Sequence, residues 1–169
     1  MNRLERINQA TKAEAESMFR DCCGSARWAN LMSEERPFAS EDELMKSAAA
    51  VYNDLQTSDW LDAFSAHPKI GETKAAPTGR HRSAEWSAGE QAGVSSADES
   101  IRQALARANR EYFEKFGFIF IVCATGKTAG EMLELCRNRL GNDRETEIAV
   151  AAREQQKITE IRLRKLLSV

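Results

Sequence analysis

The run Phe116-Gly-Phe-Ile-Phe-Ile-Val-Cys-Ala124 limits what this chain can fold into more than any other feature of its sequence. Its aromatic and β-branched residues have the composition of a buried strand. A strand needs a neighbour, because its backbone N–H and C=O groups must be paired and a lone strand is not stable in water. No second strongly strand-like run exists in the 169 residues. The run is therefore expected to lie extended or irregular and buried inside a helical protein. The expected fold is all-α: a single-domain multi-helix bundle over residues 1–169, with one extended buried segment and no real sheet.

Helical spacing surrounds that run. Ile7, Ala10, Ala15, Met18 and Phe19 occupy a stretch without Gly or Pro before Gly24, with Asn8 or Thr11 as the cap. Ser25 to Ser33, carrying Trp28, Leu31 and Met32, reads as a short helix ahead of Arg36-Pro37-Phe38. Ser40 with Glu43 has the capping-box pattern and opens a helix through Leu44, Ala48, Val51 and Leu55. Ser58 is the expected cap of a helix with Trp60, Leu61 and Phe64 that ends at His67-Pro68. Residues 71–85 read as loop, and Ser87 to Gly93 as a short helix capped by Ser87. Ser96 or Asp98 opens a long helix through Ile101, Leu105, Ala108, Tyr112 and Phe113 to Gly117. After the extended run a helix begins at about Thr128 and passes through Met132, Leu133 and Cys136 to Leu140. Gly141-Asn142-Asp143 makes a turn, and a last helix covers about Glu145 to Leu167.

Composition removes several function classes. Hydrophobic residues at 42% and charged residues at 30% fit a soluble globular chain. A net charge of -2 gives no overall drive toward nucleic acid or anionic lipid, although Lys157 to Lys165 is rich in cations. No apolar run nears the roughly 20 residues that cross a bilayer. The N-terminal Met1-Asn-Arg-Leu-Glu-Arg enters a polar helical pattern, and the final Leu166-Leu-Ser-Val carries no peroxisomal address, so the expected compartment is the cytoplasm. Cys22 and Cys23 are adjacent, while Cys123 and Cys136 stand apart. No C-x-x-C pair exists, so neither a zinc site nor a disulfide framework is expected. Gly126-Lys127-Thr128 is not a phosphate loop, because Ile121 stands where its first glycine is required. Neither G-x-S-x-G nor H-E-x-x-H occurs.

Four places can carry chemistry. His67 precedes Pro68, which disfavours helix at the histidine and sets it at a helix end. There it either projects into a pocket or serves as a surface or capping residue. Ser87-x-x-Glu90-Gln91 gathers a hydroxyl, a carboxylate and an amide. At a helix start such a group can hold an anion, or simply form a capping box. Ile119 to Cys123 is either plain core or a stretch whose unpaired backbone groups meet a planar, amide-rich ligand. Arg162 lies between apolar helix positions, where it clamps a carboxylate or is merely solvated.

In order along the chain stand Arg36-Pro-Phe38, Ala66-His-Pro-Lys-Ile-Gly71, Ser87-Ala-Gly-Glu-Gln-Ala-Gly93 and Asn109-Arg-Glu-Tyr112. Then follow Lys115-Phe-Gly-Phe118, Phe120-Ile-Val-Cys-Ala124, Arg139-Leu140, and Glu147 onward through Lys157-Ile158 and Arg162-Leu163. This ordered set covers nearly the whole chain and resembles the 2-oxo-4-hydroxy-4-carboxy-5-ureidoimidazoline (OHCU) decarboxylases. The resemblance implies an all-helical homodimer without metal or organic cofactor. It makes His67 the catalytic acid, with Glu90 beside it. Pro68, Ser87, Gln91, Ile119, Phe120, Ile121, Val122, Cys123 and Arg162 would contact the ureidoimidazoline substrate. The continuation Ala124-Thr-Gly-Lys-Thr128 is similar to the bacterial branch.

The implied reaction suits such a set. Decarboxylation needs a place for the electron pair of the broken C–C bond, commonly a cofactor. Here the substrate's own ring C=N supplies it. The protein has to orient the carboxylate, favour its loss of charge and deliver a proton to one face. Two competing readings are a hydrolase or decarboxylase of a neighbouring ureide, and a helical interaction module. The module predicts an exposed apolar stripe on the last helix.

Overall fold

The computed structural model describes residues 2–70, 81–95 and 97–168. Among these, ten α-helices occur and no strand, so the fold is all-α. The chain divides into two compact units. One runs to Ala63 and takes up the chain again from Gln156, and the other is Phe64–Gln155.

The first unit holds α1 (Arg3–Gln9), α2 (Lys12–Cys22), α3 (Ala26–Glu34), α4 (Glu41–Asn53) and most of α5 (Thr57–Ser65). The stretch from Ile7 to Phe19, expected to hold one helix capped by Asn8 or Thr11, holds parts of two, and Thr11 caps the second. Each has its own reciprocal capping box, Asn2 with Glu5 and Thr11 with Glu14. The break is stabilised from outside: Arg36 Nη1 donates to the Ile7 and Ala10 carbonyls at 2.8 and 2.6 Å. Those are carbonyls that a helix end leaves without an internal partner. Asn8 is no cap but a clamp, its side chain exchanging two hydrogen bonds with the Phe38 backbone. Phe38 and Trp28 both meet Phe19 edge-on, and Trp28 Nε1 donates to the Ala48 carbonyl at 3.2 Å. Burying each ring is worth about 1.5–3 kcal/mol.

Two other caps depart from expectation. Ser40 accepts the Glu43 N–H, but the Glu43 carboxylate reaches one residue further back, to the Ala39 N–H. Ser58 is not a cap at all: α5 starts at Thr57, and Asp59 accepts the Gln56 N–H at 2.9 Å.

The second unit holds α6 (His81–Glu90), α7 (Ala92–Ser95), α8 (Glu99–Phe116), α9 (Ala129–Arg139) and the first turns of α10 (Arg144–Ser168). Residues 81–85, expected as loop, are helical. Residues 71–80, and Ser96 as a candidate cap, lie outside the described residues. Asp98 stands at the start of α8. Gly117 ends that helix at φ +78°, a left-handed conformation in which a Cβ would be strained. The chain then runs to Ala124 without helix or strand, with Phe118 and Phe120 to Ala124 buried. Lys127 N–H closes the following turn on the Ala124 carbonyl at 3.0 Å, and Thr128 caps α9 reciprocally with Glu131.

Aromatic rings and one ionic network hold the extended run. Tyr112 packs against Phe116, Phe118 and Phe120, with centroids 4.6 to 5.8 Å apart. Behind them, the wholly buried Glu147 accepts from Tyr112 Oη, Arg139 Nε and Asn142 Nδ2. Arg139 lies over the Phe120 ring and donates through Nη1 to the Ile121 carbonyl at 2.6 Å. Burial, then the bond to Glu147, pushes the Tyr112 hydroxyl well above its ordinary range. On α10, Ile148, Ala151, Ala152, Ile158, Leu163 and Leu166 are all buried, so the exposed stripe required of an interaction module is missing there. No helix among the described residues is long and apolar enough to cross a membrane.

Candidate functional site

His67 follows the last turn of α5. Its N–H donates to the Phe64 carbonyl at 3.1 Å, and Pro68, which has no N–H and clashes with a preceding turn, prevents the helix from continuing. Both residues are half-buried. The imidazole Nε2 lies 2.7 Å from Oε1 of Gln155, a side chain with no exposed surface.

The residue before Gln155 on α10 serves the extended run. Glu154 Oε2 accepts the Cys123 N–H at 2.7 Å. The Cys123 carbonyl accepts from Lys127 Nζ, also at 2.7 Å. Phe120, Ile121, Val122 and Cys123 are buried, while Ile119 is half-buried. Among the described residues, no group pairs with the backbone N–H or C=O of Phe120 or Val122. Extended backbone inside a helical protein has no ladder to complete it, and such groups suit the edge of a planar amide ligand.

The cluster around Glu90 differs from expectation. Ser87 is not an N-cap: it sits inside α6, is buried, and its carbonyl accepts the Gln91 N–H at 3.1 Å. Ser87, Glu90 and Gln91 thus stand at the C-terminal end of a helix, where carbonyls rather than free N–H groups project. Glu90, half-buried at the end of α6, is near enough to the extended run to act on the Cys123 thiol. That thiol is pushed up first by burial, then by Glu154 and Glu90, with Lys127 and a Thr125 backbone bond opposing. Gly93 explains how closely the pieces approach: a Cβ there would lie 2.3 Å from the Lys127 carbonyl oxygen. Only glycine lets α7 sit flush on the turn that follows the run.

Arg162 belongs to the first unit and is 4% exposed, so it is not the solvated arginine that a charged helix suggests. Its Nη1 donates to the Asp21 carbonyl at 3.3 Å. Beside it the Cys23 thiol is pushed up to about 11 by burial, against opposing contacts from the Ser25 backbone, Thr159 and Arg162.

Gln155 and Glu154 were not singled out by the sequence, and Arg139 entered only within the string Arg139-Leu140. The available signal was position: Gln155 falls in register with the apolar Ala151, Ala152 and Ile158, where a polar side chain must be buried against a partner. Among the described residues, no three His, Cys, Asp or Glu side chains gather as a metal-ligand set.

The OHCU decarboxylase family model matches residues 8–164. Over 154 residues the chain is 41% identical to the uric acid degradation bifunctional protein TTL of Arabidopsis thaliana, covering 90% of this chain and 47% of that one. It therefore spans about half the length of that relative. It is 29% identical over 166 residues to a 2-oxo-4-hydroxy-4-carboxy-5-ureidoimidazoline decarboxylase of Halalkalicoccus jeotgali, covering 96% of this chain and 90% of that one. Among solved structures, an OHCU decarboxylase in the presence of (S)-allantoin matches with a TM-score of 0.77 and 39% identity, over 90% of this chain and 99% of that one. An (S)-allantoin synthase, at 18% identity and a TM-score of 0.71, shares the fold over 98% of this chain and 53% of that one.

Proposed function

The chain belongs to the OHCU decarboxylase family, and on that premise we propose that it decarboxylates 2-oxo-4-hydroxy-4-carboxy-5-ureidoimidazoline to (S)-allantoin, in urate catabolism and without a cofactor. One observation carries the site assignment. Neighbouring residues of α10, Gln155 and Glu154, reach the His67 imidazole and the Cys123 amide at 2.7 Å each, which draws the proposed acid and the extended run to one stretch of helix.

The reaction is written in two steps. The bond between the ring carbon and the carboxylate breaks, its electron pair enters the adjacent ring C=N, and carbon dioxide leaves. The C=N nitrogen takes a proton, leaving an enol; His67 then gives a proton to the neighbouring ureido-bearing carbon from one side as the enol hydroxyl loses its own and becomes the ring carbonyl, and the imidazole regains a proton from solvent. One-sided delivery accounts for a single enantiomer. Glu90, at the end of α6, takes the substrate hydroxyl or steadies the acid. The carbonyls at that helix end suit the N–H-rich ureido group, with Ser87 and Gln91 beside it. By family resemblance Pro68 contacts the substrate, and Ile119 to Cys123 offers its backbone to the ring amides. Arg162 receives the carboxylate or a ring oxygen by family resemblance.

One family match running through both units supports treating residues 1–169 as one domain. A cytoplasmic homodimer completes the proposal. The test is to generate the imidazoline in situ by coupled urate oxidation and hydroxyisourate hydrolysis, add the purified protein, and follow the circular dichroism of nascent allantoin. The expected result is rapid appearance of the (S) enantiomer. Racemic product at the spontaneous rate overturns the proposal.

A further inference from the structure

Gln155 is buried without exposed surface, and a buried primary amide is costly unless its oxygen and N–H groups are partnered. The oxygen faces His67 Nε2 at 2.7 Å. An amide oxygen accepts and never donates, so the ring nitrogen facing it carries the hydrogen. The hydrogen bond made by one imidazole nitrogen fixes which of the two is protonated in the neutral ring.

We infer that Gln155 is a positioning residue that holds neutral His67 as the Nε2–H tautomer, so that the proton transferred in the reaction leaves from Nδ1. In the imidazolium both nitrogens carry hydrogen. Loss of the Nε2 hydrogen would leave two acceptors facing each other at 2.7 Å in a part-buried place, whereas loss of the Nδ1 hydrogen leaves the bond to Gln155 intact. The same bond fixes the angle of the ring, and hence the side from which the substrate carbon is protonated. The kinetic part of this inference rests on the proposed decarboxylation; the tautomer does not.

The test uses the full chain labelled with 15N at histidine. Only His67 and His81 contribute, and His81→Asn assigns them. Two-bond proton–nitrogen correlation spectra above the titration midpoint are expected to show His67 as a pure Nε2–H tautomer with a slowly exchanging Hε2. Gln155→Leu is expected to lose the slow exchange, and Gln155→Glu, which keeps an acceptor, to retain it. In the allantoin assay Gln155→Leu is expected to lose about tenfold in kcat with KM little changed. A wild-type ring with its hydrogen on Nδ1 overturns the inference, as does an unaltered Hε2 in folded Gln155→Leu. If Gln155→Leu does not fold, the wild-type and Gln155→Glu spectra decide. If the wild type makes no (S)-allantoin, the functional proposal falls while the tautomer is still read.

Discussion

The carboxylate of Glu154 accepts the backbone N–H of Cys123 at 2.7 Å, so a charged side chain of α10 secures the end of the extended run. A charge-assisted bond of this kind is stronger than its neutral counterpart. Glu154→Ala strands the Cys123 amide and is expected to cost about 1–2 kcal/mol, the lower range for a partly exposed acceptor. Glu154→Gln restores most of that. Urea unfolding midpoints measure both. In the allantoin assay KM is expected to rise more than kcat falls, because the run binds rather than reacts. Wild-type stability and KM in Glu154→Ala would reduce the contact to an incidental one.

His67→Asn is expected to abolish protein-accelerated (S)-allantoin formation while leaving far-UV circular dichroism unchanged. Glu90→Ala is expected to lose about 10²–10⁴-fold in rate, the usual worth of an acid–base participant. A loss of only a few-fold would make Glu90 a scaffold residue.

Arg139→Met leaves Glu147 charged and buried with its ionic partner gone. Breaking a buried pair from one side costs about 3–5 kcal/mol, read as a fall in the urea midpoint. Replacing both, as Arg139→Met with Glu147→Leu, is expected to recover part of the loss, because no unpaired charge remains. A double variant less stable than Arg139→Met would contradict this account.

High pH tests the buried thiols. Cys23 ionises at about 11 in the folded chain against 9.0 when exposed, because burial disfavours the thiolate. The folded state therefore keeps a proton that the unfolded state gives up. Stability is unaffected below pH 9 and falls as pH rises from 9 toward 11, by on the order of 2–3 kcal/mol at the upper end. Cys136, pushed up to about 12 chiefly by burial, extends the decline. Cys23→Ala should flatten the slope between pH 9 and 11. An equal slope in wild type and variant would assign the loss to other groups.

Helix type and position were largely legible in the sequence because caps and apolar spacing are local. Thr128 with Glu131, Gly117 and the Gly141 turn fall where residue chemistry puts them. The strand-like run is largely buried and, among the described residues, no strand stands beside it, as expected of a sequence without a second strand-like run. What failed was choosing among nearby cap residues. Ser87 has cap chemistry, but α6 starts earlier, and Ser87 lies within it. The Thr11 cap was among those expected, but a separate α1 ahead of it was not, because Arg36, distant in sequence, supplies partners for the carbonyls at its end. Gln155 and Glu154 were missed for the same reason, since the meaning of each depends on a residue that folding brings to it.

Gly117 and Gly126, both at φ +78°, bracket the extended run, and between them Ile121, Cys123 and Ala124 are each tied at a backbone atom. A stretch anchored so densely has no slack. Inserting or deleting one residue would turn every following side chain to the opposite side and carry Phe120 off the Arg139 guanidinium. Substitutions of similar bulk leave the spacing alone. The residue count from turn to turn is therefore the quantity that drift in this protein cannot alter, and a single-codon insertion there is more damaging than any one apolar exchange.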